Sequence, residues 1–260
     1  MELIKKYNIL KIDGKNKAIV EDIVIIEYPL TIFINNEEIV TLLCSPKSLK
    51  YLAIGFLYSE GFIRDYSEID GIRIDEEWGR AYVGLKGKDV LDKQLQLKKT
   101  ITSSGGRGMI PYNMSGPLKS RQTATPQDIS IYEIKKLMAE FGKSSDLFYA
   151  TGGVHVCAIC DNNGIIYFEE DIGRHNALDK VLGKALTENM NLGDKMILAS
   201  GRISSEMLTK AVKMGIMVVV SRSAPTSSAV HMARELNVIL IGFARGEKMN
   251  IYSNFSSLKF

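Results

Sequence analysis

Three turns in the second half of the chain carry an arginine, and two of them place it beside serine and threonine hydroxyls. They occupy 200–206, 221–227 and 243–248 and read SGRISSE, SRSAPTS and FARGEK. Each turn follows a short run of branched apolar residues that is typical of a buried strand. In open α/β sheets, ligands bind beyond the carboxyl ends of strands, where the amides of helix N-termini attract anions. N-capping accounts for any single turn, but the three together favour a phosphate-bearing ligand.

The densest polar segment spans 169–180 and reads EEDIGRHNALDK. It places Asp171, Arg174, His175 and Asn176 at a predicted strand-to-helix turn. Carboxylate, guanidinium and imidazole groups within one turn can form a salt-bridged corner, and they can also form the rim of a binding or catalytic site. The segment alone leaves both interpretations open.

A glycine-rich loop near the middle of the chain, 102–111, reads TSSGGRGMIP. Glycines allow close backbone approach, so amides, serine hydroxyls and Arg107 could together hold an anion. A surface turn without a ligand has the same composition. The loop by itself does not decide between binding and a purely structural role.

Two metal hypotheses fail on spacing. Zinc nucleoside deaminases need His-x-Glu together with Pro-Cys-x-x-Cys, whereas His155 precedes Val156 and Cys157 here. Cys157 and Cys160 are spaced as a CxxC pair, but they fall on a predicted strand, where residues three apart point to opposite faces. We therefore expect buried structural thiols and no metal site.

Composition narrows the class of protein. The 260 residues are 45% hydrophobic and 24% charged, with a net charge of +3 and three cysteines. These values are ordinary for a globular protein with a full core, and the charge is too small to argue for nucleic acid or an anionic membrane. We expect no signal peptide, no membrane span and no disulfide framework, and hence a cytoplasmic protein.

The first part of the chain is predicted to be β-rich and the rest to alternate helix and strand. Predicted strands cover 23–28, 30–34, 39–43, 69–74 and 80–85, with one helix over 48–57. A segment low in periodicity, 101–125, predicts the domain boundary. We expect a β-rich domain over 1–120, carrying the 101–116 loop, and an α/β domain over 121–260.

The second domain is predicted to begin with a helix over 126–141 that is capped by Thr125. A hairpin of 153–160 with 165–169 follows, closed by an Asn-Gly turn. Predicted helices then cover 174–186, 204–214 and 226–236, and predicted strands cover 195–199, 216–220 and 238–242. Strands separated by helices of this length are typical of parallel crossovers, so the overall prediction is a mixed α/β fold.

Several motifs resemble the FdhD family, the formate dehydrogenase accessory sulfurtransferases. They are FYATGGVH at 148–155, EDIGRHNALDK at 170–180, SGRISSE at 200–206 and SAPT at 223–226, together with GFLYSEG at 55–61. The matches occur in order over nearly the whole chain, and EDIGRHNALDK is the most specific of them.

The resemblance implies a cytidine-deaminase-like α/β sandwich joined to a smaller β-rich N-terminal domain, in a cytoplasmic homodimer. It implies that the protein takes sulfur from a cysteine desulfurase and passes it to Mo-bis(molybdopterin guanine dinucleotide), or its tungsten analogue, on the way to formate dehydrogenase. GDP would then bind as a fragment of that cofactor. The family's cofactor segment falls on 243–248. The predicted cofactor-binding residues are therefore Phe243, Ala244, Arg245, Gly246, Glu247 and Lys248, joined by Arg202, Ser204, Thr226, Arg174 and His175.

The resemblance also places the family's sulfur-accepting cysteine in the glycine-rich loop. Its position falls on Gly105, flanked by Ser103, Ser104, Gly106 and Arg107. A persulfide requires a thiolate, which none of these residues supplies. Two functions follow: a sulfurtransferase, as in the family, or a cofactor-binding chaperone that transfers no sulfur. In both cases we expect the 101–116 loop to project towards the carboxyl ends of the parallel strands.

Overall fold

The computed structural model describes residues 1–87, 100–101, 107–108 and 129–259. The fold is mixed α/β, as predicted. Its first part contains strands β1 (Ile4–Asp13), β2 (Asn16–Ile25), β3 (Tyr28–Ile34), β4 (Glu37–Cys44), β5 (Ile69–Asp75), β6 (Arg80–Leu85), β7 (Thr100–Ile101) and β8 (Arg107–Gly108), with helix α1 (Leu49–Glu60). Its second part contains strands β9 (Ile129–Ser130), β10 (His155–Asp161), β11 (Gly164–Asp171), β12 (Met196–Ala199), β13 (Val218–Ser221), β14 (Ile239–Arg245), β15 (Lys248–Ile251) and β16 (Leu258–Lys259). The helices of this part are α2 (Ile131–Phe141), α3 (Asp146–Thr151), α4 (Arg174–Thr187), α5 (Ser205–Lys213) and α6 (Ser227–Glu235).

A six-stranded sheet organises the second part, in the order β11-β10-β12-β13-β14-β15. Strands β12, β13 and β14 run parallel, which confirms the predicted crossovers, and the flanking strands pair antiparallel. One apolar cluster covers the face under α4, α5 and α6, and a second covers the face under α2. Burial on both faces explains the short, unbroken runs of branched residues in the parallel strands.

A four-stranded sheet, β4-β3-β6-β5, packs on α1 in the first part. Helix α1 in turn lies against α4, and two glycines make this close approach possible. A Cβ added at Gly55 would stand 1.9 Å from the carbonyl oxygen of Asp179, and one added at Gly183 would stand 2.0 Å from that of Tyr51. Any larger side chain at either position would force the helices apart.

The N-terminal hairpin of β1 and β2 was only partly predicted. Its ten residue pairs run from Ile4 opposite Ile25 to Asp13 opposite Asn16, whereas the sequence predicted a strand over 23–28 alone. Most side chains of the hairpin are exposed, so the pattern lacks the buried alternation on which strand prediction depends.

The helix predicted over 126–141 begins later, so Thr125 is not its cap. Ile129 and Ser130 form a short strand paired with β16, and the helix starts at Ile131. The Ser130 hydroxyl accepts a hydrogen bond from the Glu133 amide, and this local cap decides the start. Thr125 and Pro126 lie outside the described residues, as do the predicted boundary near residue 120 and most of the 101–116 loop. The domain division and the likeness to cytidine deaminases stay predictions.

Candidate functional site

Two adjoining clefts open beside the ends of the large sheet, and they share His155 and Ile172 as walls. The first has a volume of about 390 Å³, and its polar lining is Ser145, His155, Ser200, Arg222 and Arg245. We name it the arginine cleft. The second has a volume of about 560 Å³, and its polar lining includes Glu27, Thr41, His155, Arg174, His175 and Asn176. We name it the histidine cleft.

The arginine cleft is built where β13 and β14 end. Arg222 follows β13, and its amide donates to the carbonyl of Ala199 at the end of the neighbouring strand. Arg245 donates from Nε to the Arg222 carbonyl over 2.8 Å, which orients its guanidinium. The register of β14 shifts between Gly242 and Arg245, and Phe243 has φ +52°. A left-handed backbone is strained for an aromatic residue, so this bulge stores strain next to the cleft.

The histidine cleft is built at the N-terminus of α4. His175 is only 7% exposed, and its Nε2 lies 3.3 Å from Glu206 Oε2 and 3.5 Å from the Ser204 hydroxyl. Glu206 comes from the first turn of α5, and Ser204 caps that helix by accepting from the Met207 amide. The other ring nitrogen, Nδ1, is buried and makes no hydrogen bond with any described residue.

Burial and nearby cations keep both histidines neutral. The pKa of His175 is lowered to about 3, first by burial and then by the charges of Lys210 and Arg174. The pKa of His155 is lowered by burial, then by Arg174 and Arg202. At neutral pH the imidazole of His175 therefore carries one proton, and its second nitrogen is a hydrogen-bond acceptor.

The low pKa of His175 predicts loss of stability in mild acid. Its folded pKa lies below the ordinary value near 6.5, so the unfolded chain binds the extra proton first, and stability falls as pH drops below about 6.5. Between pH 7 and pH 5 this group alone should cost about 2 kcal/mol of unfolding free energy. The raised pKa of Glu206 acts in the opposite direction.

Urea unfolding at both pH values measures this effect. His175→Gln should remove most of the histidine contribution, and His231→Gln, at an exposed histidine, is the matched control. Equal pH dependence in the wild type and in His175→Gln would contradict the assignment.

Comparison with known proteins identifies the family. The model of the FdhD/NarQ family matches residues 25–259. The chain belongs to the FdhD/NarQ family. The sulfur carrier protein FdhD of Bacillus licheniformis is 45% identical over 240 residues, which cover 92% of this chain and 91% of the relative. The sulfur carrier protein FdhD of Listeria innocua is 38% identical over 260 residues, or 99% and 100% of the two chains.

A solved structure gives the same result for the fold. It is the crystal structure of a Desulfotalea psychrophila protein described provisionally as a formate dehydrogenase accessory protein. It matches with a TM-score of 0.80 and 26% identity, over 99% of this chain and 100% of the other. The family resemblance drawn from the motifs is confirmed.

In this FdhD/NarQ chain, some residues of the 169–180 segment form a salt-bridged corner, and others line a cleft. Lys180 and Asp171 form a pair at 2.6 Å with both side chains fully buried, and Ser45 donates to the same carboxylate. Asp179 and Lys210 form a second buried pair at 2.7 Å. These residues are the salt-bridged corner that joins the two parts of the molecule. Arg174 and His175, from the first turn of α4, face the histidine cleft.

None of the other predicted cofactor-binding residues, apart from Arg245, lines either cleft. Arg202 is exposed and lines neither cleft, although its charge acts on His155. Thr226 caps α6 by accepting from the Ala229 amide. Ala244 is buried, Gly246 and Glu247 form the turn to β15, and Glu247 pairs with Lys135 at 2.8 Å. Phe243 and Lys248 lie at the edges of this turn, and both are exposed.

Among the lining residues that were not predicted are His155, Ser200 and Arg222. Their positions at the start of β10 and the ends of β12 and β13 follow the same strand-end rule that selected Arg245. Four residues of the predicted sulfur loop lie outside the described residues: Ser103, Ser104, Gly105 and Gly106. The side chain of Arg107 lies outside them as well. None of the helices in the described part of the chain is long and apolar enough to cross a membrane.

All three cysteines of the chain are buried free thiols. Cys157 belongs to the apolar cluster on one face of the sheet and Cys160 to the cluster on the other, which confirms that the two side chains point apart. Burial raises the pKa of both thiols. It also raises the pKa of Cys44, to about 12, with the nearby Asp171 carboxylate adding to the effect.

Proposed function

We propose that this protein serves the maturation of formate dehydrogenase by binding Mo-bis(molybdopterin guanine dinucleotide), or its tungsten analogue, as cargo. Membership of the FdhD/NarQ family and the likeness to a formate dehydrogenase accessory protein support the pathway. The cytoplasmic location, the homodimer and the partnership with formate dehydrogenase belong to the same proposal.

The observation that carries the cargo proposal is the charge of the arginine cleft. Arg222 and Arg245 both line it, and its described lining contains no carboxylate. Guanidinium groups bind phosphate oxygens through paired hydrogen bonds. A ligand with diphosphate groups, such as each half of the dinucleotide cofactor, therefore matches this cleft in charge.

Replacement of either arginine tests the phosphate site. Arg222→Ala and Arg245→Ala should each weaken GDP binding by about 1.5–3 kcal/mol, the value of one hydrogen bond to a charged group. Arg202→Ala should weaken it less, because this side chain lines neither cleft. Titration calorimetry measures the three affinities.

The exposed Arg64, on the N-terminal part of the molecule, provides the matched control. Arg64→Ala removes the same charge from the chain without touching either cleft, so GDP affinity should not change. If Arg222→Ala and Arg245→Ala bind GDP as tightly as the wild type, the phosphate does not bind in the arginine cleft.

A specific observation favours a chaperone that transfers no sulfur over a sulfurtransferase. The relatives are named sulfur carriers, and carriage of a persulfide needs an accessible thiolate. The three thiols here are buried and have raised pKa values. We propose that the protein binds and shields the cargo, while the sulfur supplied by a cysteine desulfurase is carried elsewhere.

A further inference from the structure

The two clefts differ in the kind of ligand group that they can accept. The arginine cleft presents cationic donors, whereas the histidine cleft holds one guanidinium, Arg174, and one carboxylate, Glu27, among its described lining residues. A phosphate would be attracted by the guanidinium groups of the first cleft. In the second cleft it would also be repelled by the negative charge of the Glu27 carboxylate. The ligand must therefore have a fixed orientation if it spans both.

The ring of His175 defines what the histidine cleft accepts. Glu206 lies beside Nε2 at 3.3 Å; burial raises the pKa of this glutamate, and the charges of Lys210 and Arg174 act against that shift. A carboxylate accepts, so Nε2 of the neutral ring is the nitrogen that carries the proton. Nδ1 is then left with a lone pair, and it is buried without a hydrogen bond to any described residue.

A buried acceptor without a partner is costly, and a ligand donor would remove that cost. We infer that the histidine cleft binds the N–H and amino edge of a 2-aminopyrimidin-4-one ring, with His175 Nδ1 and the Glu27 carboxylate as acceptors. Guanine and pterin share this edge. The inference rests on the proposed function, since both rings occur in the proposed cargo, and it orients that cargo with phosphate at Arg222 and Arg245.

The two histidines that line the histidine cleft have different roles in this arrangement. His155 lines both clefts, and its Nδ1 lies 3.5 Å from the Ser200 hydroxyl. Its ring therefore has a partner within the protein. His175 is the positioning residue for the ring edge, and specificity for that edge should depend on it.

Nitrogen-15 NMR of the whole protein tests the inference directly, because the chain contains only three histidines. In the free protein, His175 should be protonated at Nε2 and unprotonated at Nδ1. Addition of GDP should move the Nδ1 signal of His175 upfield, as expected for an acceptor that gains a hydrogen bond, and leave the exposed His231 unchanged. Ribose 5-phosphate, which has phosphate and sugar hydroxyls but no ring, should not move the His175 signal.

A parallel titration with neopterin distinguishes the two ring sources, since a response to neopterin alone assigns the cleft to the pterin. A protonated Nδ1 in the free protein, or an equal response to ribose 5-phosphate, would overturn the inference. If calorimetry shows GDP binding while neither ring moves the His175 signal, the inference fails and the proposed function stands. If neither GDP nor neopterin binds at all, both fail.

A variant supplies an independent measurement. His175→Gln should weaken GDP binding about fivefold, the range of one neutral hydrogen bond, and leave the affinity for ribose 5-phosphate unchanged. Equal weakening of both ligands would show a general loss of structure at α4 and would count against a specific role in ring recognition.

Discussion

Lys180→Met should lower the free energy of unfolding by about 3–5 kcal/mol, the usual result of removing one partner from a buried ion pair. Lys180 is fully buried, and its ammonium lies 2.6 Å from Asp171 Oδ2. It also donates to the carbonyl of Ser45 over 3.3 Å and to that of Glu170 over 3.1 Å. Methionine keeps the length of the side chain but leaves the Asp171 carboxylate buried without its counter-ion.

Two further variants make this result specific to burial. Lys6→Met breaks the exposed pair of Lys6 with Glu21 at 2.7 Å, and it should cost far less than Lys180→Met because water screens an exposed pair. The double variant Lys180→Met, Asp171→Asn removes both charges and should recover part of the loss. Urea unfolding curves compare the four proteins. A cost for Lys180→Met no greater than that for Lys6→Met would show that the pair does not hold the corner together.

The corner matters for the site because the same residues position the histidine cleft. The Asp171 carboxylate also accepts hydrogen bonds from the Gly173 amide and from the Asn176 side chain, each at a distance of 2.9 Å. These bonds set the entry into α4, whose first turn carries Arg174 and His175. A structural cluster and part of a cleft lining thus share one short segment, which explains why its sequence alone left the two interpretations open.

Most of the large sheet could be predicted because burial on both faces leaves a clear pattern. The strand predicted over 195–199 is observed at Met196–Ala199, and the helix predicted over 204–214 is observed at Ser205–Lys213. The start of α2 could not be predicted in the same way. Ser130 and Glu133 form the local cap there, but a strand that pairs with the distant β16 places the chain just before it.

The site could be predicted in type but not in arrangement. Strand-end rules select arginines in turns, and they led to Arg202 and Arg245 without distinguishing Arg222, which has the same signal. Which of the three lines a cleft depends on how the turns pack: Arg222 and Arg245 do, and Arg202 does not. His175 and Glu206 lie in the first turns of two different helices, and they are 31 positions apart in the sequence. No local sequence pattern encodes a contact between them.

The protein should take no sulfur from a cysteine desulfurase. In such a transfer, an acceptor thiolate attacks the outer sulfur of the desulfurase persulfide, and the desulfurase thiolate leaves. The Cys44 thiol has a pKa of about 12. At neutral pH it is therefore ionised in roughly one molecule in ten thousand or fewer. Cys157 and Cys160 are equally buried, at 1% and 0% exposure. After incubation with desulfurase and radiolabelled cysteine, we expect no label that a reductant releases.

Gly105→Cys provides the positive counterpart, because Gly105 is the position that the resemblance assigns to the family's cysteine. A thiol there, close to Arg107 in sequence, should accept label and release it on reduction. Ser253→Cys, which introduces a thiol at a buried position outside the helices, controls for any cysteine added to the chain and should stay unlabelled. Label on the unmodified protein that disappears in Cys44→Ala, Cys157→Ala or Cys160→Ala would show that one of these buried thiols becomes accessible. Sulfur carriage would then have moved within the chain, and the chaperone proposal would be wrong.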